Sequence, residues 1–254
     1  MRVKIISIYN QKGGVGKTTT AINLAAGIGR IGKRVLLIDM DPQCNASSGL
    51  LETREGANMY DVLTGAATLR DAIRTTEEKN LDVAISSTDL AALDIEMATL
   101  ERRERRLEDA LQAANVEEDY DYIFIDCPPS LGLVPLNALV GSTGVIIPIQ
   151  CEYFALEGVG LMLKTLAGVQ ENLNPGLLIE GVVLTMYDGR NNLAVEVVEE
   201  VKRYFKDRVY KSVIPRNIRL AEAPGYAQSI FTYDLTSRGA EHYMKLAREF
   251  VTRS

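Results

Sequence analysis

Cysteine is scarce in this chain. Cys44, Cys127 and Cys151 are the whole set among 254 residues, an odd number at wide spacings with no C-x-x-C pair. That excludes a disulfide framework, offers no zinc-ligand spacing and provides no paired thiolates for an iron–sulfur cluster. Histidine occurs once, at His242, with no catalytic partner near it in the sequence, and reads as surface or satisfied core. No apolar run approaches the length of about 18 residues that a membrane span needs, and the first such run ends after Tyr9 at a polar loop, so no signal peptide is expected either. Low-complexity tracts, internal repeats and Pro/Gly-rich linkers are missing too, which removes the usual marks of a domain boundary. The expectation is one domain spanning residues 1–254 in a reducing, cytoplasmic compartment.

Apolar residues make up 46% of the chain, enough for one extended sheet with a core on each side. Short apolar runs alternate with amphipathic segments for nearly the whole length. That pattern predicts an α/β fold: a doubly wound, mostly parallel twisted sheet with helices on both faces. Strands are expected at residues 3–9, 34–39, 81–85, 122–126, 144–149, 179–185 and 209–213, and helices at 19–31, 101–114 and 193–205 among others. In the last of these Val195, Val198 and Val201 are read as the core-facing stripe, with Glu199, Lys202 and Arg203 outward.

Residues 12–18 read KGGVGKT, between the first strand and the first helix. Gly13, Gly14 and Gly16 let backbone N–H groups crowd around phosphate oxygens, and the helix that follows adds its positive end. Lys17 supplies an ammonium for the terminal phosphates and Thr18 a hydroxyl for a magnesium ion. The strict G-x-x-x-x-G-K-[ST] pattern fails, however, because its first glycine would fall on Gln11, and a second lysine, Lys12, follows instead. That departure marks the deviant Walker A subset of P-loop NTPases; the plain alternative for Lys12 is a solvated loop lysine. A dinucleotide-binding fingerprint is excluded, since Gly14-Val15-Gly16 is followed three residues on by Thr19.

In such a sheet ligands gather at the carboxyl ends of the strands, and two runs there end in aspartate. Asp126 closes the run YIFID and is the candidate to hold magnesium or its water; a helix cap is the bland reading. Asp39 and Asp41 lie two residues apart, so in extended backbone both carboxylates point to one side. Asp39 is a second candidate for the metal, through water, and Asp41, further along the loop, is the better candidate to orient an attacking water.

Net charge is −6, which discourages polyanion binding by the molecule as a whole. Between Lys202 and Arg219, however, seven basic residues stand against a single acid, Asp207.

Six separated segments, KGGVGKTTT, LLIDMDPQCNAS, YIFIDCPPSLG, PIQCEYFALEG, LTMYDGR and IPRNIRLAEAPGYAQSI, resemble in order and spacing the signatures of the ParA family, in particular its short, Soj-like chromosomal members. The resemblance implies a magnesium-dependent ATPase that partitions DNA. Two copies would sandwich ATP, with Lys12 reaching the partner's phosphates. Gly13, Gly14, Val15, Gly16, Lys17, Thr18 and Thr19 would form the cradle, with Mg2+ on Thr18 and, through water, Asp126. Lys12, Lys17 and Asp41 would be the catalytic set, and Met186, Pro215 and Asn217 would pack on adenine. The ATP dimer would bind double-stranded DNA without sequence preference through Arg190 and Arg219, with Lys202, Arg203 and Lys206 in the same basic region. A ParB-like centromere-binding protein would stimulate hydrolysis, and the protein would associate with the nucleoid. Because the first strand opens at Val3, no separate N-terminal DNA-binding domain is expected.

The nearest rival is a MinD-like membrane-cycling ATPase, which anchors through a C-terminal amphipathic helix. Tyr243, Leu246, Ala247 and Phe250 form an apolar stripe there, a pattern equally expected of a helix packed on its own domain. A non-hydrolysing P-loop protein is the remaining alternative. A tyrosine-kinase relative is disfavoured because the tyrosines are dispersed.

Overall fold

A computed structural model of the chain describes residues 3–152 and 157–253; residues 153–156, inside the segment PIQCEYFALEG, lie outside the described residues. Seven strands, β1 (Lys4–Ile8), β2 (Val35–Asp39), β3 (Ile73–Thr75), β4 (Leu81–Ala84), β5 (Tyr122–Asp126), β6 (Gly144–Gln150) and β7 (Leu178–Thr185), form one sheet in the order β3-β4-β2-β5-β1-β6-β7. Every pairing is parallel except β3 with β4. The helices are α1 (Lys17–Arg30), α2 (Asn45–Ser48), α3 (Met59–Thr64), α4 (Leu69–Ala72), α5 (Leu93–Glu96), α6 (Arg106–Ala114), α7 (Leu133–Val140), α8 (Glu157–Asn172), α9 (Asn192–Phe205), α10 (Ile218–Glu222), α11 (Ile230–Tyr233) and α12 (Arg238–Arg253).

Both faces of the sheet are covered, which is why its central strands carry unbroken apolar runs, VLLI in β2 and YIFI in β5, rather than apolar residues at alternate positions. In β2, Val35 and Leu37 join the core under α1, α11 and α12, with Leu24, Ile28, Leu246 and Phe250. Leu36 and Ile38 point the other way, into the core formed with α3, α6, α7, α8 and α9 by Leu63, Leu111, Leu139, Met162 and Val197.

The expected doubly wound architecture is present, with four local corrections. Residues 209–213 are not a strand: Val209 makes one bridge to Val182, and the N–H groups of Lys211 and Ser212 are taken by the Glu249 carboxylate of α12 (2.8 and 2.9 Å) instead of by a ladder. The seventh strand is β3, three residues long and too short to show a period. In α9 the buried stripe is Ala194, Val197, Val201 and Phe205, while Val195 is partly exposed. Steps of three, three drift around a helix that turns about 100° per residue, whereas steps of three, four, four stay on one side. The helix expected over 101–114 begins at Arg106, after a 3₁₀ turn over Arg103–Arg105.

α1 packs unusually close to its neighbours. A methyl group on Gly29 would overlap the Lys79 carbonyl oxygen, and Asn80 donates its amide to the Gly29 carbonyl at 3.0 Å. Gly168, in α8, has nothing within 4 Å of the same position. Gly29→Ala is therefore expected to cost about 1–3 kcal/mol through overpacking. Gly168→Ala should instead stabilise by about 0.5–1 kcal/mol through helix propensity. Urea denaturation of the two variants measures both.

Candidate functional site

The order β2-β5-β1 at the centre of the sheet decides what meets at its carboxyl edge. Asp39 of β2 is in register with Asp126 of β5, and Asp126 is in register with Ile8 of β1, from which the phosphate loop departs. The sheet therefore delivers the glycine loop and both strand-end carboxylates to one place.

The loop is held from several sides. Gly14 and Gly16 have φ of 74° and 85°, backbone that favours glycine. Thr185, at the end of β7, donates its hydroxyl to the buried Val15 carbonyl (2.8 Å). Lys17, at the start of α1, is buried and folds back so that Nζ donates to the Lys12 carbonyl (2.9 Å). Burial pulls its pKa down, opposed chiefly by the nearby Asp126 charge.

The carboxylates differ in their surroundings. Asp39 is fully buried and committed: Oδ2 accepts from the Ser47 N–H and hydroxyl (both 2.7 Å), and Oδ1 accepts from the Asp41 N–H (3.1 Å). Burial pushes its carboxyl up to about 6 even against those hydrogen bonds. Asp126 is equally buried, yet neither of its oxygens has a hydrogen-bond partner of normal geometry among the described residues. Its pKa is raised well above the ordinary value by burial first and then by Asp39, with the Thr18 hydroxyl and the Lys17 ammonium pulling the other way. An unpartnered buried carboxylate beside a threonine hydroxyl fits a magnesium ion that keeps its waters and takes its other ligands from phosphates. No cluster of three or more His, Cys, Asp or Glu among the described residues could hold a metal ion. Of the two strand-end aspartates, Asp126 is the one without such bonds among the described residues, while Asp39 holds the loop that carries Asp41. Asp41 is buried, accepts the Gln43 N–H on Oδ1 (2.9 Å) and has its carbonyl held by the Ser86 hydroxyl (2.7 Å).

Beside the loop lies a pocket of about 310 Å³ whose walls include Gly16, Thr19, Met186, Ile214, Pro215 and Asn217. Met186, Pro215 and Asn217, distant from the loop in sequence, are brought together with it here. The 215–217 wall is tied to the 186–188 loop by backbone bonds from Tyr187 N–H to Ile214 O (3.0 Å) and from Arg216 N–H to Tyr187 O (3.1 Å). Ser47, Thr185, Ser86 and Ile214 had no assigned role in the sequence reading. Ser47 lies inside the segment LLIDMDPQCNAS, but nothing in spacing says that its hydroxyl turns back onto Asp39.

The basic residues do not form one patch. Arg190, on the 186–191 loop, makes a two-pronged ion pair with Asp188 (2.9 and 2.7 Å) and holds that carboxyl down to about 2. Arg219 pairs with Glu222 (2.8 Å) and Asp234 (3.6 Å). Lys202, Arg203 and Lys206 are exposed and make no ion pair among the described residues, but they sit at the far end of α9. At 1.5 Å per residue that is about 20 Å from Arg190, beyond the exposed Glu196, Glu199 and Glu200.

The membrane-anchor stripe is also resolved. Tyr243, Leu246, Ala247 and Phe250 are buried in the core against α1, so they are not available to a bilayer. No helix among the described residues is long and apolar enough to cross a membrane. His242 is half-buried, with Nδ1 2.6 Å from the Val213 carbonyl, and the three cysteines are buried free thiols.

A glycine loop with two lysines and a strand-end carboxylate, set on a doubly wound sheet, define the class: a P-loop NTPase with a deviant Walker A loop. A family model described as an AAA domain matches residues 3–179. The sporulation initiation inhibitor protein Soj of Bacillus subtilis is 55% identical over 248 residues, 97% of each chain. The chromosome partitioning protein ParA of Caulobacter vibrioides is 48% identical over 99% of this chain and 95% of its own length. Among solved structures, the cobyrinic acid a,c-diamide synthase of Mycobacterium smegmatis with a bound ATP analogue and magnesium superposes with a TM-score of 0.84 at 33% identity, covering 97% of this chain and 93% of that one. The cell division ATPase MinD of Pyrococcus furiosus superposes with a TM-score of 0.79 at 28% identity over 99% of each chain. The chain belongs to the Soj/ParA family of chromosome-partitioning ATPases.

Asp126→Asn removes a buried charge whose oxygens have no hydrogen-bond partner of normal geometry among the described residues. Because the folded-state pKa is raised, stability falls as pH rises from the ordinary carboxylate value toward the folded pKa and levels off above it. Without nucleotide, the variant is expected to be about 1–3 kcal/mol more stable than the parent at pH 7.5. The gap should narrow as pH falls toward the ordinary carboxylate value. Urea melts at a series of pH values test this.

Proposed function

We propose that this protein is a DNA-partitioning ATPase whose nucleotide state sets its oligomeric state. ATP binds with its phosphates in the Gly13–Thr19 loop and its adenine in the pocket formed with Met186, Pro215 and Asn217. Magnesium rests on Thr18 and, through water, on Asp126. The relative with a bound ATP analogue and magnesium supports that choice of ligand, and the unpartnered Asp126 carboxylate supports the place of the metal. Asp41 orients the attacking water in line with the leaving oxygen, on a loop braced by Asp39, Ser47 and Ser86.

The observation that carries the reading is the second lysine. Lys17 already serves the local phosphates, so Lys12 has no task left inside its own site. We assign it to the phosphates of a second copy, which makes the γ-phosphate the group that favours a homodimer and hydrolysis the event that releases it.

The dimer binds double-stranded DNA non-specifically. Arg190 and Arg219, on adjacent segments at the nucleotide edge, make the primary contacts by exchanging their carboxylate partners for phosphates. Lys202, Arg203 and Lys206 add to the field at a distance. A ParB-like centromere-binding protein stimulates hydrolysis, and the working location is the nucleoid in the cytoplasm.

Lys12→Ala should remain monomeric at saturating Mg-ATP in analytical ultracentrifugation. Asp41→Ala should bind ATP and dimerise while losing phosphate release by about 100-fold or more. Arg190→Glu with Arg219→Glu should dimerise normally yet lose DNA in ATP-dependent co-sedimentation. Turnover retained in Asp41→Ala, or DNA retained by the double variant, would reject the corresponding assignment.

A further inference from the structure

Gln11 stands where the ordinary phosphate loop has glycine, and its side chain is engaged on both sides. Nε2 donates to Thr165 Oγ1 on α8 (2.9 Å) and to the Tyr9 hydroxyl (3.1 Å). The Thr165 hydroxyl donates in turn to the Leu161 carbonyl one turn back (3.2 Å), which leaves its lone pairs facing Gln11. The neighbours of Gln11 are held separately. Asn10 Nδ2 donates to the Pro148 carbonyl of β6 (2.8 Å), and its Oδ1 accepts the Lys12 N–H (3.0 Å). The Lys12 carbonyl accepts Lys17 Nζ. Three consecutive residues are thus fixed by three elements, β6, α8 and α1, and a glycine at position 11 would delete the link to α8.

We propose that Gln11 and Thr165 are positioning residues: their hydrogen bond ties the first turn of the phosphate loop to α8 and so fixes the backbone from which Lys12 projects. This rests on the reading of Lys12 as the lysine that serves a second copy. The Gly13–Thr18 cradle has its own anchors in Thr185 and Lys17. Loosening the latch therefore leaves Lys12 on its bonds to Asn10 and Lys17 alone, with more freedom in its approach, while the local phosphate site stays formed. A loosened lysine must be ordered again each time the dimer closes, which weakens closure but not capture of nucleotide by one copy.

The test uses the full chain and the near-isosteric Thr165→Val, with Thr165→Ser as the restoring variant and Gln11→Gly as an independent cut of the same link. Affinity of each for ADP, measured by calorimetry, reports the local site. The dimer dissociation constant at saturating Mg-ATP, measured by ultracentrifugation, reports the latch. Thr165→Val and Gln11→Gly should keep ADP affinity within about twofold and weaken the dimer about tenfold, the scale of one part-buried hydrogen bond with its ordering. Thr165→Ser should return to the parent value. An unchanged dimer constant in both cut variants overturns the proposal, as does a parallel loss of ADP affinity, which would mean general distortion of the loop. Lys12→Ala in the same assay separates the two levels: if it dimerises like the parent, the reading of Lys12 fails and the latch with it. If it stays monomeric while Thr165→Val and Gln11→Gly dimerise normally, the latch alone fails.

Discussion

Parallel pairing of β2, β5 and β1 in strict register places Asp39 and Asp126 side by side, out of water, at the root of the glycine loop. Two buried carboxylates at this range repel, and the protein resolves the conflict unequally. Asp39 receives three hydrogen bonds, and Asp126 receives none of normal geometry among the described residues. The result is one carboxylate that organises a loop and another that remains an unmet demand for positive charge. Lys17 answers part of that demand from a buried position of its own, and what is left fits a divalent cation.

What the sequence disclosed was whatever local pattern determines. The loop, six of the seven strands and the strand-end aspartates follow from short-range periodicity and glycine placement. What it hid depends on contacts between distant segments. Residues 209–213 have the composition of a strand, but Glu249 takes two of their N–H groups and His242 lies on the Val213 carbonyl, so α12 competes successfully with the sheet. β3 has no pattern to read at three residues. The α9 stripe was misphased because valines at 195 and 198 are as apolar as the buried Val197, and only packing separates them. Ser47 and Thr165 look like any other hydroxyl in the sequence; their roles come from what the fold sets opposite them.

α12 links the two halves of the molecule. Its apolar stripe fills the core against α1, the helix that carries Lys17 and Thr18. Its polar side clamps 211–213, and the chain continues directly into the Ile214–Asn217 wall of the pocket. Phosphate loop and pocket wall are thus referred to one helix, which explains how segments separated by about two hundred residues hold a common geometry. A helix so employed cannot also be a membrane anchor, so the resemblance of its pattern to one is a consequence of amphipathicity alone.

The charge arrangement bears on how a protein of net charge −6 could hold a polyanion. Arg190 and Arg219 are each neutralised by neighbouring carboxylates in the free chain. Exposed ion pairs of this kind contribute little to stability, so giving up a carboxylate for a phosphate costs each arginine little. In the proposed cycle such a surface would attract DNA weakly as a single copy and would gain affinity by gathering more arginines against one duplex, because each added phosphate contact releases a further counterion. Self-pairing of the cations would then hold the monomer off DNA, and assembly of copies would overcome it.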